Sequence, residues 1–591
     1  MPSTWRLLWR LFLYTRPYRW LVLVCLGAWL MMGLLETLVP WFIARVIDEG
    51  VSARNGQALI LFAALATGSI ALRAGFGFVY AYGYRYWDHR IGRDLRNAFY
   101  RKLMHLEYAY YDKANTGDLI TRGISDVDVM RQWTGLGVTE LFTTVGLFIY
   151  MTTAMLLVNW RLALIGAVVI PALAITGRYF GRGAIPRLAT VRRLQTQVTN
   201  RLAENLNGVR VVRAYGREQD EVRRYVGESQ RYMRANVQWI DFWAWLVPSM
   251  HLITAIGTCI VLSVGGVLVI NGALLIGQLI QFNVYHARLL GVVRRSGGIL
   301  QRTAAAVTSA ERLFEILDLQ PSVRDASRAE PLRVTEGRVT FDHVWLRYGN
   351  GPWVLQDISF EIAPGQTVSV VGPTGSGKTS ILNLLGRFYD PSQGAVRIDG
   401  HDLRTLTLDS LRRAIGIVPQ DVVLFADTIE RNLAFARPNA PRERIVSAAI
   451  AAEAHRFIEA LPEGYATTLG ERGTGLSGGQ RQRSSIARAI LPDAPILVLD
   501  DSTSALDTHT ERLVLNTIFG MERRPTTLIV AQRLSAARRA DLILVIEEGR
   551  LTQRGTHADL VAAPGLYQRM WREQASVHED ADHPPAGAAR P

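Results

Sequence analysis

The sequence predicts a two-part chain, a membrane-spanning α-helical half followed by an α/β half built around a phosphate-binding loop. Three observations predict it. Residues 1–300 are dominated by long apolar runs, residues 330–575 alternate polar and apolar as a water-exposed domain does, and a Gly-rich loop joins a β-branched run to an apolar helix in the second part. A chain of 591 residues is long enough for two or three domains. The expected division is 1–318 for the membrane domain, 319–336 for a linker, 337–573 for the α/β domain and 574–591 for a polar, disordered tail.

Six runs meet the requirement of about 20 mostly apolar residues per span. They lie at 20–46, 57–83, 136–158, 161–182, 242–270 and 274–296. Three links between them are short: 47–56, Asn159-Trp160 and Asn271-Gly272. The other two, 84–135 and 183–241, are long, helical in pattern and rich in Arg. The positive-inside rule places these and both termini in the cytoplasm, with multi-pass insertion in an inner or plasma membrane. Spans two to five therefore continue as long cytoplasmic extensions. Breaks are expected near Tyr110–Asp118 and Asn205–Glu218, where turn formers cluster.

The formal net charge is +14, and only Lys102, Lys113 and Lys378 are lysines. The arginines cluster beside apolar spans, which favours a bilayer over nucleic acid as partner. Cys25 and Cys259 both lie in apolar runs and read as buried packing residues, not as a disulfide. The first 20 residues lack the apolar core and small-residue cleavage site of a signal peptide. Glu36, Arg73, Glu140, Asp241 and His251 are polar groups inside spans. Such groups either face a cavity, where they contact a transported molecule, or pair between helices. Trp243 and Trp245 fit an interfacial belt, and Pro40, Pro171 and Pro248 are candidate kinks.

In the α/β half, 338–348 and 367–371 read as strands. The second runs into Gly372-Pro373-Thr374-Gly375-Ser376-Gly377-Lys378-Thr379, followed by Ser380. Glycines let backbone N–H groups wrap phosphates, Lys378 adds a point charge, and the Thr379 hydroxyl suits Mg²⁺. A lysine retained here, in a chain that uses Arg almost everywhere else, marks a need for a compact cation. A further strand, 496–499, ends in Asp500, which is placed to hold the metal ion. Between them Leu476-Ser477-Gly478-Gly479-Gln480 opens a helix and forms a second anion cradle. Two cradles on one chain suggest a nucleotide held between two chains.

The order of phosphate loop, Gln420, Leu-Ser-Gly-Gly-Gln, Asp500 and Ser504-Ala505-Leu506-Asp507 resembles the ABC ATPase family. Six spans with long cytoplasmic hairpins resemble ABC exporters of the type IV fold. The resemblance implies ATP and Mg²⁺ as cofactors and a head-to-tail dimer, with each ATP between one chain's phosphate loop and the other's Ser477-Gly478-Gly479-Gln480. It implies that Tyr348 stacks on adenine, that Gln420 joins Mg²⁺ to the transport domain, and that Gly470–Gly473 touches coupling helices. Two positions depart from the family: Asp501 stands where Glu positions the attacking water, and Gln532 where His contacts the γ-phosphate. Asp is shorter by one methylene, and Gln carries no charge. Together they resemble the degenerate half of heterodimeric exporters. The expected function is therefore one subunit of an ATP-driven exporter of a small molecule, lipid or peptide, paired with a second half-transporter carrying Glu and His. A homodimeric exporter, an ATP-gated channel or regulator, and a siderophore importer are the alternatives.

Overall fold

The computed structural model describes residues 4–502, 505–521, 523–531 and 533–582. The chain forms two compact units. One comprises residues 1–104 and 115–319, the other residues 105–114 and 320–591. The short segment 105–114 thus packs as part of the α/β unit although it lies between two membrane helices in sequence.

The first unit is helical throughout. Its helices include α1 Thr4–Leu13, α2 Arg19–Arg45, α3 Gly56–Met104, α4 Val138–Val158, α5 Val169–Asn207, α6 Glu218–Ile270 and α7 Ile276–Asp318. Among the described residues, five helical segments are long and apolar enough to cross a bilayer: 16–52, 56–104, 116–158, 160–207 and 218–270. The sixth expected span falls on α7, which is 43 residues long but interrupted by Gln278, Gln281, Asn283, His286 and Arg288. Gln281 and His286 are buried among Phe282, Tyr285 and Leu289, so these polar groups face helices and not lipid.

Several local expectations shift. The break in the first long link begins at His105, ahead of the turn-rich stretch, and Tyr108–Tyr111 is a single helical turn inside it. The second falls where expected, with α5 ending at Asn207, a short helix Val209–Ala214, and α6 starting at Glu218. Pro171 stands where the helical run breaks: one helix ends at Ala167 and α5 begins at Val169, and the N–H that Pro171 lacks is the one that would bond the Ala167 carbonyl. Pro40 and Pro248 do lie inside helices, as does Pro186. Cys25 is buried but Cys259 is exposed, which corrects the expected burial. A membrane helix is apolar on every side, so an apolar run does not tell inner from outer face.

The α/β unit holds two sheets. A four-stranded sheet has order β2-β1-β4-β5, from Val339–Arg347 (β1), Trp353–Ile362 (β2), Gln393–Ile398 (β4) and His401–Asp402 (β5). The six-stranded sheet has order β10-β9-β3-β8-β7-β6, from Thr367–Val371 (β3), Ile415–Val418 (β6), Ile496–Asp500 (β7), Thr526–Val530 (β8), Leu542–Glu547 (β9) and Arg550–Gly555 (β10). Strands β3, β7 and β8 are buried at every residue. That explains their continuous Val/Ile/Leu runs, since a parallel sheet is covered on both faces. The last helix among the described residues spans Leu566–Asp582, past the 573/574 boundary expected from the polar tail. Leu566, Met570 and Trp571 share one of its faces and pack on the domain core.

Candidate nucleotide site

The parallel register builds the site. Val370 pairs with Val530, Asp500 with Val530, and Val418 with Leu499. The residues just beyond β3, β6, β7 and β8 therefore share one edge, the carboxyl ends of parallel strands, where α/β sheets bind ligands. Gly372 follows β3 there, Asp500 ends β7 with Asp501 directly after it, and Gln420 lies two residues past β6 with its side chain exposed.

The phosphate loop leads into helix α8, Lys378–Leu385. Its glycines are required by the chain itself. A Cβ on Gly372 would lie 2.1 Å from the Ile546 carbonyl oxygen. Gly377 has φ of 101°, and its Cβ would meet Leu355 at 2.7 Å. Thr374, Gly375 and Thr379 form the exposed rim, whereas Ser376, Lys378 and Ser380 are buried. Lys378 Nζ donates to the carbonyls of Gly372 (2.8 Å) and Pro373 (2.7 Å), which holds the ammonium inside the loop. Burial lowers its pKa, and the charges of Asp500 and Asp501 oppose that shift.

Asp500 is 7% exposed, and its Oδ1 has no hydrogen-bond partner among the described residues. Burial, reinforced by the Asp501 charge, pushes its pKa up to about 6. Thr379 hydrogen-bonds the carboxylate and, with Lys378, opposes the rise. A buried carboxylate with one oxygen unpaired, beside a Thr hydroxyl and a phosphate cradle, is a fitting donor set for Mg²⁺ bound to a nucleotide phosphate. Asp501 is buried too, with φ of 46°. Its N–H donates to the Val530 carbonyl at 2.9 Å, and its carbonyl accepts from Gln482 Nε2 at 3.3 Å. The strained turn is thus held from two sides. Gln532 and Ser504 lie outside the described residues.

Tyr348 stands beside the loop. Its hydroxyl is 2.9 Å from Ser380 Oγ, and its ring meets Tyr389 edge-on at 4.8 Å. Tyr389 in turn donates to Asp112, and Phe388 packs on Tyr108 with ring centres 4.4 Å apart. Segment 105–114 is therefore connected to α8 through Tyr389 and Tyr348. Sequence reasoning missed Phe388 and Tyr389, although paired aromatics directly after a phosphate-loop helix were a visible signal. It also missed Gln482, whose Oε1 accepts from the Ala505 N–H at 3.0 Å while its amide holds Asp501.

The second cradle is a helix N-terminus, α9 Gly478–Ile490. Ser477 and Gln480 form a capping box: the Ser477 N–H donates to Gln480 Oε1 (2.8 Å), and the Gln480 N–H to Ser477 Oγ (3.3 Å). Gly478 is exposed, and the nearest atom to an added Cβ is Ala505 Cβ at 3.9 Å. These residues contact Ala505 and Leu506, while the phosphate loop contacts Asp500 and Tyr348. Gly470–Gly473 forms a turn, exposed at Gly470, Glu471 and Arg472 and buried at Gly473, with Arg472 at φ of 53°.

Comparison with known proteins matches both halves. Residues 22–293 match the ABC transporter transmembrane region, and residues 355–504 match the ABC transporter domain. An uncharacterised ABC transporter ATP-binding protein of Bacillus subtilis, YknU, is 35% identical over 95% of this chain and 96% of its own. An ATP-dependent lipid A-core flippase of Syntrophus aciditrophicus is 33% identical over 96% of this chain and 94% of its own. A bacterial Atm1-family ABC exporter, solved with ATP bound, superposes with a TM-score of 0.79 at 31% identity, covering 93% of this chain and 99% of that one. The site geometry and these end-to-end matches agree: the chain belongs to the ABC transporter family, as a multi-pass, ATP-hydrolysing transporter of the exporter fold.

Proposed function

We propose that this chain is the degenerate-site half of a heterodimeric ABC exporter. The observation that carries the reading is Asp501, where the family has Glu, together with Gln532 in place of His. Asp501 directly follows a buried strand, in a turn held by Val530 and Gln482. Its shorter side chain therefore gains no reach from backbone movement. A misplacement of about 1 Å at a reacting centre lowers the rate by about 10²-fold. In this reading ATP binds at Tyr348, Gly372, Thr374, Gly375, Ser376, Gly377, Lys378, Thr379 and Ser380. Mg²⁺ is held by Thr379, Asp500 and Gln420, and Asp501 and Gln532 turn the nucleotide over slowly. Ser477, Gly478, Gly479 and Gln480 complete the partner's site.

Closure of the nucleotide dimer then drives export through the bundle from the cytoplasmic side. The basic cytoplasmic links support that orientation in an inner or plasma membrane. The flippase and the putative multidrug exporters among the relatives suggest an amphiphilic substrate.

The test is ATP hydrolysis by the chain purified alone and with a second half-transporter carrying Glu and His at the matching positions. The reading expects the chain alone to turn over at less than about a tenth of the complex's rate. Equal rates per site would overturn it in favour of a homodimer.

A further inference from the structure

Three membrane helices contribute ionisable groups to one cluster. Glu36 on α2 is 8% exposed. Its Oε2 accepts from Arg73 of α3 at 3.0 Å, and its Oε1 accepts from Arg288 of α7. From Gly56 to Arg73 is about 25 Å of helical rise, most of the thickness of a bilayer core. The cluster therefore lies past the middle of the crossing, toward the end away from Gly56, and all three residues fall inside the expected spans 20–46, 57–83 and 274–296. Tyr285, one turn before Arg288, donates to the Thr37 carbonyl at 2.5 Å and locks α7 against α2 at this level.

The charges do not balance. One carboxylate has both oxygens engaged, and two guanidinium groups each spend a single N–H on it. Each guanidinium carries five donors. Arg73 Nε is among the buried atoms without a partner, and the side chains of Arg73 and Arg288 are 36% and 49% exposed. A net cation with free donors is costly in hydrocarbon, and such groups face a cavity or a substrate path. An isolated structural ion pair needs one arginine. The second supplies a charge that an incoming anion can take up.

We propose that Glu36, Arg73 and Arg288 form a binding subsite for an anionic group of the transported molecule, a phosphate or carboxylate, with Glu36 as the built-in counter-anion. The incoming oxygens take the free N–H donors and compete with Glu36 for the guanidinium groups. The pairing is bidentate, and arginine suits it better than lysine. Because the three residues come from three helices, exchanging Glu36 for a ligand also alters what ties α2, α3 and α7 together. This inference rests on the transporter assignment and is independent of how fast the nucleotide site turns over.

The test uses the full-length chain in phosphatidylcholine nanodiscs without nucleotide, so a failure of the weak-site reading leaves it untouched. Equilibrium binding is measured for a fluorescent single-chain phosphatidate and for a neutral monoacylglycerol with the same acyl chain. The phosphatidate is expected to bind about tenfold more tightly. Arg73→Gln and Arg288→Gln each remove most of that preference while leaving the neutral probe unchanged, and Arg288→Lys keeps part of it. Glu36→Gln is expected to tighten phosphatidate binding, because it removes the competing carboxylate. Competition by inorganic phosphate would support a site for the anion alone, and lack of competition a site for an anion carried on a chain. Equal binding of both probes would overturn the proposal, as would a Glu36→Gln variant that weakens phosphatidate binding as the arginine variants do.

Discussion

The two phosphate cradles of this chain differ in what demands their glycines. In the phosphate loop the demand is internal: a side chain at Gly372 or Gly377 collides with Ile546, Leu355 or Val354 of the same domain. In the second cradle, Gly478 is exposed, with open space around its missing Cβ. Nothing within the domain requires glycine at 478, whereas a Cβ on Gly479 would lie 3.2 Å from the Ala505 carbonyl oxygen. The glycines of the first cradle answer to contacts inside the domain, while in the proposed function the second cradle is reserved for a nucleotide held by a partner. Under the proposed heterodimer reading, this difference teaches that one sequence can be intact and degenerate at once, with its own site weakened at Asp501 and its contribution to a partner's site preserved.

The largest expected effect breaks the second cradle. Gly478→Asp has room to fold, so the domain's thermal stability should stay within about 0.5 kcal/mol. A carboxylate facing a nucleotide phosphate should lower steady-state ATP hydrolysis of the complex by about 10²-fold or more. Loss of stability in place of activity would show that the loop serves this chain's own packing. Lys378→Ala attacks the first cradle and should act differently. It removes the cation and its two carbonyl contacts, and nucleotide affinity measured on the complex should fall by about tenfold at one of two sites. Measurable hydrolysis should remain, and its complete loss would contradict the division of labour.

Asp500 sharpens the comparison through pH. Its carboxyl is held near 6, above its unfolded value of 3.8. For a group with a raised folded pKa, stability is fully present below the unfolded value and is lost as pH rises through the folded one. At pH 7 the ion is therefore unfavourable without metal, and Asp500→Asn should raise the stability of the nucleotide-free protein by about 1–3 kcal/mol. The same variant should abolish the Mg²⁺-dependent part of nucleotide binding. In the native protein that part should weaken as pH falls below about 6, a range in which an ordinary carboxylate stays ionised. Titration of nucleotide affinity between pH 7.5 and 5, with and without about 1 mM Mg²⁺, checks both signs.

The smallest effect concerns the link between the nucleotide site and segment 105–114. Tyr389→Phe keeps the ring against Tyr348 but loses the hydrogen bond to Asp112. An exposed bond of this kind contributes about 1 kcal/mol, so substrate stimulation of hydrolysis should fall by only a few fold. No change would assign signal transfer to the Phe388–Tyr108 stacking alone.

Much of this arrangement was legible in the sequence because its signals are local. Strand β3 was expected at 367–371 and is found at Thr367–Val371, since a fully buried parallel strand leaves an unbroken β-branched run. The phosphate loop and Asp500 follow from fixed spacing along such strands. What stayed hidden depends on neighbours distant in sequence. Glu36 and Arg73 were visible as costly polar groups, but Arg288 was not singled out, and nothing local shows that the three meet. Gln482 looks like any polar residue of a helix until Asp501 and Ala505 are placed on either side of it. The polar character of α7 was masked by its aliphatic residues, because burial against other helices replaces lipid exposure there.

The central claim is that Asp501 and Gln532 weaken an otherwise complete site. The most direct measurement is steady-state ATP hydrolysis of the purified full-length chain before and after the double change Asp501→Glu, Gln532→His. With its phosphate loop, Asp500 and second cradle intact, the repaired chain is predicted to gain at least about tenfold in turnover with nucleotide affinity unchanged. Turnover that stays the same would contradict the account.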